Sequence, residues 1–238
     1  MSPNGNLPSE IKLFMGETIL LKDEFNDYLE IMATVPGYSD LRHYDFFSKL
    51  LERPVHSLLM LGVYHGRDIC FLMNILKHRQ PEREFFITGV DKFTNSPCDD
   101  WTPEERTRSW QLNGFGPPPT LEKCIANLKR YNNLNVTLDL HQNFDIAWFN
   151  EQMHKLSNGD SSFRNYDVIY LDAAHDETSV VSQLIHCRPH CHEFTILCGD
   201  DYDKDRGWGV IDAVDKSFSK REIFHGSIWQ SSVRYLKL

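Results

Sequence analysis

Polar residues capable of chemistry recur in this chain just after apolar runs. Gly62-Val63-Tyr64-His65-Gly66 follows Ser57-Leu58-Leu59-Met60-Leu61, and Asp91-Lys92 follows Phe85 to Val90. Gln142 and Asn143 come after Val136 to Leu140, Asp172 and His175 after Asp167 to Leu171, and Asp200-Asp201 after Phe194 to Cys198. Packing alone does not explain polar groups at the ends of five successive apolar runs. A Gly-x-x-x-Gly turn carries no Cβ at either end, so a ligand can come close to its backbone. The helix after such a turn offers free N–H groups to a carboxylate or phosphate. An acid such as Asp91, one unit later, can accept two ribose hydroxyls, and the pair points to a nucleoside. Histidine ordinarily titrates near neutrality, which makes His175 a candidate general base, with Asp172 beside it. Asp176 reads as the cap of the next helix. The plainer alternative for all the acids is that they cap helices and bind loop backbone.

The elements that position these residues follow from periodicity. Residues 23–33 and 39–52 carry helical spacing, and Ser39 and Asp40 can cap the second segment. Strands are expected at 57–61, 85–90, 136–140, 167–171 and 194–198. Helices are expected at 67–78, 121–131 (capped by Thr120), 145–156, 177–187 and 210–218. Residues 223–225 and 228–236 read as a closing antiparallel pair, and residues 1–10 as a frayed end. Strands alternating with helices predict an α/β fold: a Rossmann-like, doubly wound seven-stranded sheet, mostly parallel with an antiparallel edge hairpin. Right-handed crossovers then bring the C-terminal ends of the parallel strands to one rim, where ligands bind. The whole chain, 1–238, reads as one domain, with N-terminal helices over 1–53.

The segments LMLGVYHGRD, FFITGVDKF, YDVIYLDAAHDETSVVSQL and LCGDDYD, in that order, resemble the motifs of class I S-adenosylmethionine-dependent methyltransferases. Within that superfamily they are most similar to the small O-methyltransferase branch that includes the macrocin and sugar O-methyltransferases. The resemblance covers about residues 40–230. It implies S-adenosylmethionine as cofactor, with Gly62, Tyr64 and Gly66 along its methionine portion. It places Asp91 at the ribose with Lys92 flanking, Gln142 and Asn143 near the adenine, and Asp172 facing the cofactor. Many members carry a Glu two residues before the first motif glycine, where this chain has Met60. In metal-dependent relatives an Asp after the fourth strand and an acidic pair after the fifth bind a divalent cation, usually magnesium. The matching residues are Asp172, Asp200 and Asp201, and oxygen ligands suit such a cation, which can acidify a hydroxyl. The implied reaction is O-methylation of a small hydroxylated acceptor, a sugar or natural product.

Composition limits the alternatives. Among 238 residues, 41% are hydrophobic and 25% charged, and the net charge is −9. That charge disfavours a nucleic-acid backbone as partner. No apolar stretch is long enough for a membrane span, and the N-terminus lacks a signal-peptide pattern, so a cytoplasmic protein is expected. The six cysteines read as reduced thiols. His186, Cys187, His190, Cys191 and His192 are all zinc-ligand types, but their spacing matches no standard finger and Pro189 interrupts them. Residues 94–119 form an insertion expected to serve as a lid or substrate wall, with Trp101, Trp110 and Phe115 as stacking or anchoring groups and Asp99, Asp100, Arg106 and Arg108 as polar contacts. A nicotinamide-dependent oxidoreductase would fit the same sheet, but Gly-x-Gly-x-x-Gly and a Tyr-x-x-x-Lys pair are missing. A non-catalytic nucleoside-binding module is the third reading. A homodimer is the default assembly.

Overall fold

The computed structural model describes residues 10–12, 19–93, 119–132 and 135–238. The chain opens with β1 (Glu10–Lys12) and β2 (Ile19–Leu21), a short antiparallel pair, then α1 (Lys22–Thr34) and α2 (Leu41–Leu51). The alternating part comprises β3 (Ser57–Leu61), α3 (Arg67–Arg79), β4 (Phe85–Asp91), α4 (Leu121–Tyr131), β5 (Val136–Gln142), α5 (Asp145–Ser157), β6 (Tyr166–Leu171), α6 (Glu177–Cys187) and β7 (Cys191–Gly199). It closes with α7 (Val210–Ser217), β8 (Glu222–Phe224) and β9 (Ile228–Ser232). The seven-stranded sheet has the order β5-β4-β3-β6-β7-β9-β8. Its first five strands are parallel, and β9 and β8 are antiparallel. This is the doubly wound sheet expected from the alternation.

The two faces of the sheet bury alternate residues. Leu58 and Met60 of β3, with Val168 and Tyr170 of β6, pack against Phe46, Phe47 and Phe71 from α2 and α3. Leu59, Leu61, Ile169 and Leu171 face the other way, onto Trp148, Leu184 and Val214 from α5, α6 and α7. Strands buried on both faces read as unbroken apolar runs, which is why β3 and β6 are visible in the sequence. Each such side chain contributes roughly 1.5–3 kcal/mol of burial free energy.

Local capping agrees with the sequence at three helices. Asp40 accepts from Arg42 N–H, Thr120 from Lys123 N–H and Asp176 from Ser179 N–H. Boundaries differ elsewhere. β5 extends to Gln142, so this residue ends the strand rather than following it. β7 starts at Cys191, where the polar run Cys191-His192-Glu193 gives no strand signal. β9 ends at Ser232 and gives way to a short 3₁₀ turn, so the expected strand to 236 is shorter. Strands of three residues are too short to show a period in the sequence, and β1 takes in Glu10, the last residue of the expected frayed end.

Two tethers fix the N-terminal helices. Arg67, at the start of α3, donates to the carbonyls of Val35, Gly37 and Ser39 in the α1–α2 linker. Asp45 of α2 pairs with His225 in the β8–β9 turn at 2.8 Å. The 94–119 insertion, including Asp99, Asp100, Trp101, Arg106, Arg108, Trp110 and Phe115, lies outside the described residues apart from Pro119. No described helix is long and apolar enough to cross a membrane.

Candidate active site

The parallel strands deliver their polar ends to one rim. Backbone bonds continue the ladder past the strands: Gly62 N–H donates to Val90 O, Asp172 N–H to Leu61 O and Asn143 N–H to Asp91 O. Gly62 has φ +86°, and a Cβ there would lie 2.1 Å from the carbonyl oxygen of Asp172. The glycine is therefore required by the close approach of two rim loops, in addition to any ligand. Gly66 is the N-cap of α3, and Tyr64 between them also has positive φ, at 55°. Burial, with the Asp91 carboxylate nearby, pushes the Tyr64 phenol up, so it stays neutral.

Asp91 organises this loop. Its Oδ2 accepts from Val63 N–H and Tyr64 N–H, both at 2.8 Å, and its Oδ1 from Phe93 N–H at 2.6 Å. A carboxylate has about four acceptor positions. Three are used by backbone amides of the described residues, so at most about one is left for an external hydroxyl rather than two. Lys92 is half-buried next to it, and Gln142 donates to Lys92 O at 3.4 Å. Asn143 donates to Glu151 and accepts from Phe144 N–H.

On the other side of the rim lies a cluster of acids. The ligand atoms of Asp172, His175 and Asp201 all fall within 4.8 Å of one another. His175 Nε2 is 2.8 Å from Asp201 Oδ2. Its ring stacks on Trp208, with centroids 4.4 Å apart and planes 20° apart. The Arg206 guanidinium sits over the same indole at 4.8 Å. Asp201 holds φ +65°, a conformation that Asp tolerates better than most residues. Desolvation and the facing carboxylates of Asp201, Asp200 and Asp68 push Asp172 well above the usual carboxylate range.

Asp200 behaves differently. Its Oδ2 is 2.9 Å from Nε2 of His43, a residue of α2 that is 3% exposed. Burial opposes a charge on His43, but the carboxylates of Asp200 and Asp40 on either side overcome it and push the imidazole up to about 11. Burial likewise opposes the charge on Asp200, and the His43 pair brings it below the ordinary value. Of the three expected acids, Asp172 and Asp201 group with His175, while Asp200 gives Oδ2 to His43 and keeps Oδ1 buried with no hydrogen bond among the described residues. The residue types do fit a cation, since two carboxylates and an imidazole nitrogen are all metal donors. Sequence reasoning missed His43, Trp208 and Asp68. His43 lies 157 residues from its partner, and no local pattern marks such a pair.

The zinc-type residues between the end of α6 and the start of β7 form no metal-type grouping among the described residues. His186 bonds to Ser182 O, and His192 pairs with Asp167. His190 bonds to Arg164 O and stacks on Phe163, buried at 1% exposure. Among the described residues, the metal-type grouping is the one at Asp172. Cys70, Cys124, Cys187 and Cys198 are buried free thiols.

Comparison with known proteins places this rim in a family. No curated protein matches the chain in sequence. A structure described as the O-methyltransferase NovP superposes with a TM-score of 0.56 at 15% identity, covering 80% of this chain and 79% of that one. An O-methyltransferase from Bacillus cereus in complex with SAH gives 0.55 at 11% identity, covering 90% and 92%. The SAH-bound methyltransferase PaMTH1 from Podospora anserina gives 0.53 at 10% identity, covering 89% and 87%. At these identities the likeness is one of fold. The family model described as a methyltransferase domain matches residues 59–202, more than half of the sequence. That match spans β3 through the start of the loop after β7, and with it this chain belongs to the methyltransferase domain family, S-adenosylmethionine-dependent enzymes of the class I fold.

Proposed function

We propose that the protein methylates a hydroxyl of a small-molecule acceptor, a sugar or natural product, with S-adenosylmethionine as methyl donor. The observation that carries this reading is the single rim on which the Asp91-bound loop of Gly62, Tyr64 and Gly66 adjoins the Asp172–His175–Asp201 cluster. The similar structures described as O-methyltransferases support oxygen as the methylated atom.

The donor supplies a methyl group already activated on a sulfonium. The chain's own residues bind, orient and deprotonate. Gly62, Tyr64 and Gly66 would line the methionine portion, and Asp91 would give its remaining acceptor position to the ribose, with Lys92 beside it. Gln142 and Asn143, at the end of β5, would border the adenine. The acceptor hydroxyl would face Asp172 and His175. With Nε2–H donated to Asp201, the His175 Nδ1 carries the lone pair that takes the acceptor proton. Positioning of the two reactants at one rim supplies most of the remaining acceleration. Resemblance to the metal-dependent relatives extends the reading to a divalent cation, magnesium, on Asp172, Asp200 and Asp201, which would acidify the hydroxyl.

Thermal unfolding with S-adenosylmethionine, S-adenosylhomocysteine or NAD, with and without magnesium, tests the reading. Either adenosyl ligand at 100 times its Kd should stabilise the protein by about 2.7 kcal/mol. Stabilisation by NAD and by neither adenosyl compound would replace the proposal with an oxidoreductase.

A further inference from the structure

The run from His186 to His192 holds a second chemistry, carried by its sulfurs. We propose that Cys187 and Cys191 form a dithiol that a low-molecular-weight disulfide such as oxidised glutathione converts to an internal disulfide, with Cys191 attacking and Cys187 resolving. The proposal is independent of the methyl-transfer reading, because the pair stands at the start of β7 and Asp200 and Asp201 follow its other end.

The geometry sets the two sulfurs together. Cys187 is the last residue of α6, Cys191 is the first of β7, and Arg188–His190 between them is a 3₁₀ turn. Residues four apart on a helical path are separated by about 6 Å along the axis. A disulfide bridges Cα atoms about 4.4–6.8 Å apart. Cys191 Sγ donates to Cys187 O at 3.4 Å, and the two thiols share a hydrogen bond. The segment is pinned from both sides. Cys191 pairs with Tyr166 of β6, and Asn165 Nδ2 donates to Pro189 O at 3.1 Å and Cys191 O at 3.3 Å. Much of the ordering that a cross-link demands is therefore already done by the fold.

The two thiols differ in reach. Cys187 is 0% exposed, whereas Cys191 is half-buried. The hydrogen bond with Cys191, and then burial, push the Cys187 thiol well above its ordinary value. Cys187 thus keeps its proton at neutral pH, and Cys191 is the one that meets an external sulfur. Exchange proceeds through a thiolate and a mixed disulfide. The Cys191 thiolate attacks one sulfur of the external disulfide, and the other sulfur leaves as a thiolate. Cys187 then attacks Cys191 Sγ, and the second external thiolate departs with the Cys187 proton. Two cysteine thiols are oxidised to one disulfide, and one external disulfide is reduced to two thiols.

Mass spectrometry of the full chain after exposure to oxidised glutathione decides. Pro189 follows Arg188, so trypsin leaves both cysteines on one peptide, and mapping by peptide keeps reactions at Cys98 apart. That peptide should lose two hydrogens, resist alkylation and regain both thiols on reduction. It should do so at least roughly tenfold faster in the folded chain than in the same chain unfolded in urea, since the fold supplies the proximity. Cys187→Ser should stop at glutathione held on Cys191, and Cys191→Ser should leave Cys187 unmodified. A peptide that stays fully open to alkylation, glutathione that remains on Cys191 in the unaltered chain, or equal rates folded and unfolded would overturn the proposal. These readouts on the unaltered chain stand even if a serine variant folds poorly.

Discussion

Asp91 has two duties that pull on the same oxygens. It closes the loop after β3 through two backbone amides and its own turn through that of Phe93, and it is the residue expected at the ribose. Hydrogen bonds to a charged group contribute about 1.5–3 kcal/mol each. Asp91→Asn removes the charge and one acceptor oxygen. It should weaken S-adenosylhomocysteine binding by roughly tenfold or more and lower the melting temperature of the free protein as well. Calorimetry and thermal unfolding of the variant check both; loss of affinity with unchanged stability would mean that the loop does not depend on these bonds. At this scale the sequence was partly readable. Asp91, Asp172, His175 and Asp201 all stand on the rim that the strand ends define. The partners that decide what each can do were not readable. That Asp200 faces α2 while Asp201 faces His175 depends on a turn at positive φ, which no residue pattern announces.

Between elements, the controlling feature is how closely the loops after β3 and β6 approach. Gly62→Ala must relieve both a left-handed φ of +86° and a Cβ placed 2.1 Å from Asp172 O. The strain and the collision together should destabilise the protein by roughly 3 kcal/mol or more. For a chain of this size that is a fall in melting temperature of about 6–12 °C, measurable by calorimetry. A variant as stable as the parent would show that the loops have room to part. The elements themselves were legible where burial on both faces makes a strand uniformly apolar, as in β3 and β6. They were not legible where tertiary pairing overrides composition. β7 begins at Cys191-His192-Glu193 because it pairs with Tyr166 of β6, and β5 ends at Gln142 because it pairs with Asp91.

At the scale of the whole molecule, His43 joins the N-terminal helices to the sheet. Its folded-state pKa of about 11 exceeds the ordinary 6.5, so folding favours the protonated form. The stabilisation is fully present below pH 6.5 and is lost as pH rises from there to about 11. Asp200 and Asp40 are held below the ordinary 3.8, so their share is present above that value and fades as pH falls further. His43→Gln leaves the Asp200 charge buried without its cation and should cost about 3–5 kcal/mol at neutral pH. The gap in stability between parent and variant, followed by denaturant unfolding, should be widest from about pH 5 to 6.5 and narrow toward pH 11. A gap that does not change with pH would mean that His43 is neutral in the folded protein.

The Arg67 grip on the α1–α2 linker has a consequence for traffic. Together with His43 on Asp200 and Asp45 on His225, it anchors α2 at its approach, its first turn and its middle. Such a helix is a fixed doorpost and not a swinging door. Whatever reaches Asp172 and His175 does so past a helix that stays in place.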